Sequence, residues 1–125
     1  MARILLSIKP EYVAKIFNLT KRYEFRKRIP HRPIEKVIVY STEPERSVVG
    51  EFEVLEIITM KPSSLWEKTK KDAGISRAKF REYFHGCENS YAYKIGYVTL
   101  YEKPKKLTDF GVNQAPQSFV YVKDK

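Results

Sequence analysis

The chain has 125 residues, 42% of them hydrophobic and 14% aromatic, with 24 Lys and Arg against 15 Asp and Glu for a formal charge of +9. A chain of this length hides roughly two thirds of its unfolded surface on folding, which argues against disorder. The single Cys, Cys87, excludes an internal disulfide and a cysteine-based zinc site. The sequence therefore predicts one domain over residues 1–125, soluble and cytoplasmic, with no membrane partner, because the apolar stretch before Lys9-Pro10 falls far short of a ~20-residue span. The positive charge points to an acidic partner, nucleic acid ahead of lipid.

In chain order, Ala2 to Ile8 is an apolar run suited to a buried strand, and Pro10 stands where a helix starts. Tyr12, Val13, Ile16 and Phe17 fall on one stripe of that helix, with Lys15 and Asn18 turned away and the end near Thr20. From Arg22 to Arg26 the pattern alternates, sending Tyr23 and Phe25 to a core face and Arg22, Glu24 and Arg26 to the other. Arg28 to Pro33 reads as a loop and Val37 to Tyr40 as a buried strand, followed by a turn at Glu43-Pro44-Glu45.

Val48 to Met60 is a longer strand whose alternation slips at Leu55 to Ile58, which reads as a bulge of the kind that curves a sheet. Two helices are predicted next, Leu65 to Ala73 stopped by Gly74, and one capped by Ser76 and stopped by Gly86. Strands over Ser90 to Tyr101 and Ser118 to Val122 close the chain. The order β-α-β-β-β-α-α-β-β predicts an α+β fold built on a mixed or antiparallel barrel with peripheral helices.

The charge is concentrated between residues 21 and 36. There Lys21, Arg22, Arg26, Lys27, Arg28, Arg32 and Lys36 stand against only Glu24 and Glu35, more than half of the net charge. A surplus of that size on a strand and loop either projects toward phosphates or is a solvated edge that resists aggregation. Lys21 and Glu24, three apart across a helix-to-strand joint, are placed to meet in a cleft. Burial lowers the pKa of a lysine and raises that of a carboxylate, toward general-base use. The alternative is a structural ion-pair network with Arg26, whose planar fork also suits a phosphate or a base edge.

The segment Ser7-Ile8-Lys9-Pro10-Glu11-Tyr12, then Ala14-Lys15-Ile16-Phe17 and Thr20-Lys21-Arg22-Tyr23-Glu24-Phe25-Arg26-Lys27, resembles the opening motif of the ASCH domain family in the PUA-like superfamily. Val48 to Val54 and Pro116 to Tyr121 also resemble segments of a small single-domain branch labelled as predicted transcriptional regulators. The resemblance implies a PUA-like barrel with a cleft beside the first helix, and either an RNA-binding role or chemistry on nucleosides or RNA. One bacterial branch is similar to an amidohydrolase of N4-acetylcytidine that uses a Lys, a Thr three residues later and a downstream Glu. Lys21 matches the Lys, Glu24 stands at the Thr position, and only Asp72 is near the downstream acid. The missing hydroxyl argues against that particular chemistry.

His85-Gly86-Cys87 lacks a third ligand at recognisable spacing, so no metal and no cofactor is expected. Trp66 at a helix start reads as packing rather than base stacking. Of Tyr40, Tyr91, Tyr93 and Tyr97, one or two are expected near the cleft and the others in the core, while Gln117 and Ser118 either close the cleft or only start the last strand. The sequence thus predicts a module that binds RNA or a modified nucleotide through Lys9, Lys21, Arg22, Arg26, Lys27, Arg28 and Arg32. The enzymatic alternative is a hydrolase of an acylated nucleoside or RNA with Lys21 and Glu24 as catalytic pair. A DNA-binding regulator is the third reading, although the two tightly joined helices carry their aromatics inward, unlike a helix-turn-helix.

Overall fold

Lys9 is extended and Pro10 takes the first helical position, so β1 (Ala2–Ile8) passes directly into α1 (Pro10–Phe17) without a loop. The structure is a computed structural model and describes residues 1–123. Val13 and Ile16 are buried and Lys15 and Asn18 exposed, as the spacing predicts, but the helix ends at Phe17 and Leu19 turns back with φ 70.

The remaining strands are β2 (Tyr23–Arg26), β3 (Ile34–Ser41), β4 (Ser47–Met60), β5 (Ser90–Lys105) and β6 (Phe119–Val122). Two helices, α2 (Pro62–Thr69) and α3 (Arg77–Tyr83), lie between β4 and β5, with Ser76 accepting a bond from the Lys79 amide as the α3 cap. The strand order is β2-β5-β4-β3-β1-β6, with β1 and β3 parallel and every other pair antiparallel. The element order and the α+β class agree with the sequence reading.

The barrel does not. Among the described residues the six-stranded sheet is open, with β2 and β6 at its edges. It curls strongly, because register shifts fall at three places along the β4–β5 ladder. The bulge lies between Phe52 and Glu56, slightly before the slip read from the sequence. It also reverses the phase of β5: Tyr93 and Ile95 are buried, but Tyr97 is 73% exposed, its amide donating to Glu53 Oε1. The curl stops short of strand pairing, and a side chain spans the gap instead: Arg26 Nη2 on edge strand β2 donates to the Ser7 carbonyl of β1 at 2.9 Å.

One face of the sheet carries the core formed by Val13 and Ile16 of α1 with Ile4, Ile8, Val39 and Phe52. Gly50 lies where a Cβ would sit 2.4 Å from the Thr99 carbonyl and 2.6 Å from the Phe17 ring, so its missing side chain sets how closely α1 docks. The opposite face is covered by α2 and α3, which pack Leu65, Phe80 and Phe84 on Phe25 and Ala92, and by Leu107, Phe110 and Val112 near β1 and β3. Both faces of β2 are thus occupied. Glu24, predicted on an outer charged face, is only 6% exposed.

Candidate functional site

The junction between α1 and β2 buries a lysine. Lys21 is 2% exposed and its Nζ donates to the Ala73 carbonyl at 2.7 Å. Its ammonium also lies 5.1 Å from the Tyr12 ring centre and 4.8 Å from that of Phe25. The segment after α2 clamps it from outside. The Asp72 carbonyl accepts the Arg22 amide at 2.8 Å, and Gly74, with φ +67, lies so close that a Cβ there would be 2.4 Å from Lys21 Cβ. Desolvation pulls the Lys21 pKa down; nearby Glu24 opposes that shift, and Lys15 and Arg26 add to it.

Lys21, Glu24 and Arg26 line one open cavity of about 510 Å³ between α1, β2 and α3, together with Lys9, Tyr12 and Gln117. Lys79 and Glu82 of α3 and Glu11 of α1 form the facing wall. Glu24 is engaged by Arg26, whose Nε and Nη2 both reach Glu24 Oε2, at 3.1 and 2.9 Å. No ion pair joins Glu24 to Lys21 among the described residues. The two groups of the predicted catalytic pair share a cavity, but the carboxylate is committed to Arg26. The local charge suggested a basic cleft; the lining is mixed, with four cations against three carboxylates.

The other predicted contacts separate. Arg22 turns away and donates through Nη2 to the Ile95 and Gly96 carbonyls at 2.8 and 2.9 Å, fastening β2 to the bulge of β5. Lys36 pairs with Glu51 at 2.6 Å. Lys27, Arg28 and Arg32 are exposed and outside the cavity lining, with Lys27 over the Tyr83 ring and Arg32 over that of Tyr121. Asp72 is exposed and supplies only its carbonyl, so it does not stand in for a downstream acid. Of the four tyrosines singled out, Tyr40 and Tyr93 are buried, and the Tyr93 hydroxyl has no hydrogen-bond partner among the described residues. Burial holds the Tyr93 pKa well above the usual phenol value.

Sequence reasoning missed Ala73 and Gly74 as part of the site, because Gly74 reads locally as a helix stop. It also missed Ser7, whose carbonyl holds Arg26 and whose hydroxyl donates to the Pro116 carbonyl at 2.8 Å, fixing Gln117 at the rim.

A sequence model of the ASCH domain matches residues 6–110. The chain belongs to the ASCH domain family. It is 36% identical over 121 residues to the ATP synthase subunit alpha of Ureaplasma parvum, covering 96% of this chain but 15% of that protein. With an ASCH domain-containing ribonuclease of Zymomonas mobilis it shares 33% identity over 93 residues, covering 73% of this chain and 62% of the relative. This ASCH domain therefore spans less than two thirds of the length of either. The crystal structure of an ASCH protein from Zymomonas mobilis superposes with a TM-score of 0.89 at 27% identity, covering 98% of this chain and 88% of that one. No helix among the described residues is long and apolar enough to cross a membrane.

Proposed function

We propose that this ASCH domain acts on RNA, taking one nucleotide unit into the cavity between α1, β2 and α3. The observation that carries the reading is Lys21. It is a buried cation that donates to one carbonyl, has no carboxylate paired to it among the described residues, and forms part of the wall of an open cavity. A desolvated ammonium whose neighbouring carboxylate, Glu24, is committed to Arg26 gains from an entering anion, and a phosphate supplies one. Lys9 stands at the same wall, while exposed Lys27, Arg28 and Arg32 are suited to the flanking backbone. Arg22 has no part in this reading, because carbonyls already engage its guanidinium.

Cleavage of that RNA is a second reading, favoured by the lowered Lys21 pKa and by the naming of the Zymomonas relative as a ribonuclease. Neutral Lys21 takes the 2′-hydroxyl proton, the 2′-oxygen bonds to the adjacent phosphorus, and the bond to the 5′-oxygen breaks. The proton held on Lys21 then passes to the departing oxygen, leaving a 2′,3′-cyclic phosphate.

The test is binding of a mixed-sequence single-stranded RNA over a salt series, with the products analysed for cyclic phosphate ends. Log affinity should fall with log salt by about 0.7 per phosphate neutralised. Lys21→Met should weaken binding at least tenfold and abolish cleavage while circular dichroism stays native. A flat salt response overturns the RNA reading, and unchanged cleavage by the variant removes Lys21 from the chemistry.

A further inference from the structure

A second cavity, larger than the one at Lys21, lies on the other side of α3. It measures about 950 Å³, opens to solvent between α2 and α3, and is lined by Trp66, Arg77, Arg81 and Lys61. Its apolar wall is an aromatic cluster: Trp66 tilts against Phe80 with ring centres 5.1 Å apart, and Phe80 meets Phe84 edge-on at 4.9 Å. Phe80 and Phe84 are almost fully buried, so Trp66, only half-buried, is the aromatic that an incoming ring would meet.

Helical spacing relates the two cavities. Within α3, Lys79, Glu82 and Tyr83 line the Lys21 cavity, while Arg77, Phe80 and Arg81 line this one, so the helix presents opposite sides to each. The helix, about 10 Å across, thus lies between them, with Phe25 of β2 packed on its Phe80 and Phe84. Glu67, one of the two carboxylates at this cavity, is bonded to Lys70 at 2.8 Å, and the lining holds three cations, Lys61, Arg77 and Arg81, against Glu67 and Glu88.

We infer that the α2–α3 cavity is a second nucleotide subsite, in which a base stacks on Trp66 and its phosphate lies against Arg77 and Arg81, on a strand that crosses α3 from the Lys21 cavity. The inference rests on the RNA reading above and extends it from one nucleotide to a short single strand. An aromatic face beside guanidinium groups suits an unpaired base without selecting its identity, and a volume of this size admits a nucleotide.

Trp66 is the only tryptophan of the chain, so its fluorescence reports this subsite alone. The full-length protein is titrated with a ribonucleoside monophosphate and with a single-stranded hexaribonucleotide. The hexamer should quench Trp66 and bind at least tenfold more tightly than the monophosphate. Trp66→Ala should weaken hexamer binding by roughly 5- to 150-fold, the range for one lost base stack, and abolish any fluorescence response to the monophosphate. Arg77 and Arg81 are exposed, so Arg81→Ala keeps the fold and should reduce the hexamer salt slope by about 0.7. Hexamer binding without quenching, and insensitive to both substitutions, overturns the second subsite while the Lys21 cavity stands. Absence of any RNA binding by the unaltered protein removes the RNA reading and this inference together.

Discussion

Gly74→Ala tests the packing that holds Lys21. The new Cβ would lie 2.4 Å from Lys21 Cβ, 2.5 Å from Cγ and 3.0 Å from Cα, at a φ of +67. These atoms are the root of the side chain and the backbone, so Lys21 cannot swing clear while its Nζ stays on the Ala73 carbonyl. The left-handed conformation costs a non-glycine residue roughly 1–2 kcal/mol, and forced overpacking typically about 1–3 kcal/mol more. Gly86 provides the control: its φ is +79, yet nothing lies within 4 Å of a Cβ there, so Gly86→Ala carries only the backbone cost. Urea unfolding monitored by circular dichroism should show Gly74→Ala losing roughly 2–5 kcal/mol and Gly86→Ala roughly 1–2 kcal/mol. For a chain of this size the former corresponds to a fall in Tm of about 6–25 °C. Equal losses at the two glycines would refute the claim that Gly74 is shaped around Lys21.

Three further outcomes concern buried polar groups. Tyr93→Phe removes a buried hydroxyl that has no partner among the described residues, so stability should hold or rise by about 1 kcal/mol in urea unfolding; a loss of that size would reveal a bond to the hydroxyl. Arg26→Ala leaves Glu24 buried and uncompensated and should cost about 3 kcal/mol, whereas Arg26→Met with Glu24→Gln should cost less than the sum of the single changes, a coupling read from a double-mutant cycle. Lys21 has a folded pKa below the 10.5 of the unfolded chain, so between the two the unfolded state binds more protons and stability rises with pH. Relative to Lys21→Met, the unaltered protein should therefore gain stability as pH climbs toward 10.5, and parallel pH profiles would contradict the desolvation of Lys21.

Local chemistry carried much of the architecture. Pro10 starts α1, Ser76 caps α3, and the apolar run of β1 needs no distant partner to be read as a strand. That Lys9, Lys21, Glu24 and Arg26 share one cavity was legible, since they lie within a strand–helix–strand stretch of the chain, whereas Gln117 joins them from a distant segment that the sequence left open. What the pattern could not assign was partnership. Seven cations between residues 21 and 36 look alike in a sequence, yet Arg22 is bound by two carbonyls, Arg26 by Glu24, Lys36 by Glu51, and Lys21 is buried against Ala73.

Capping, proline geometry and hydrophobic periodicity act over a few residues, so the order and type of the elements could be read locally, whereas their ends moved: α1 stops at Phe17, α2 runs from Pro62 to Thr69, and β5 extends to Lys105. The tertiary structure alone decided that the sheet stays open and that Arg26 bridges to Ser7, since closure depends on twist accumulated across a bulged ladder. It also decided that a glycine about fifty positions away makes room for Lys21, because two segments meet only when the chain is folded. A local surplus of five positive charges thereby became one buried lysine, one paired arginine and a small set of exposed cations, each with a different energy for meeting a phosphate.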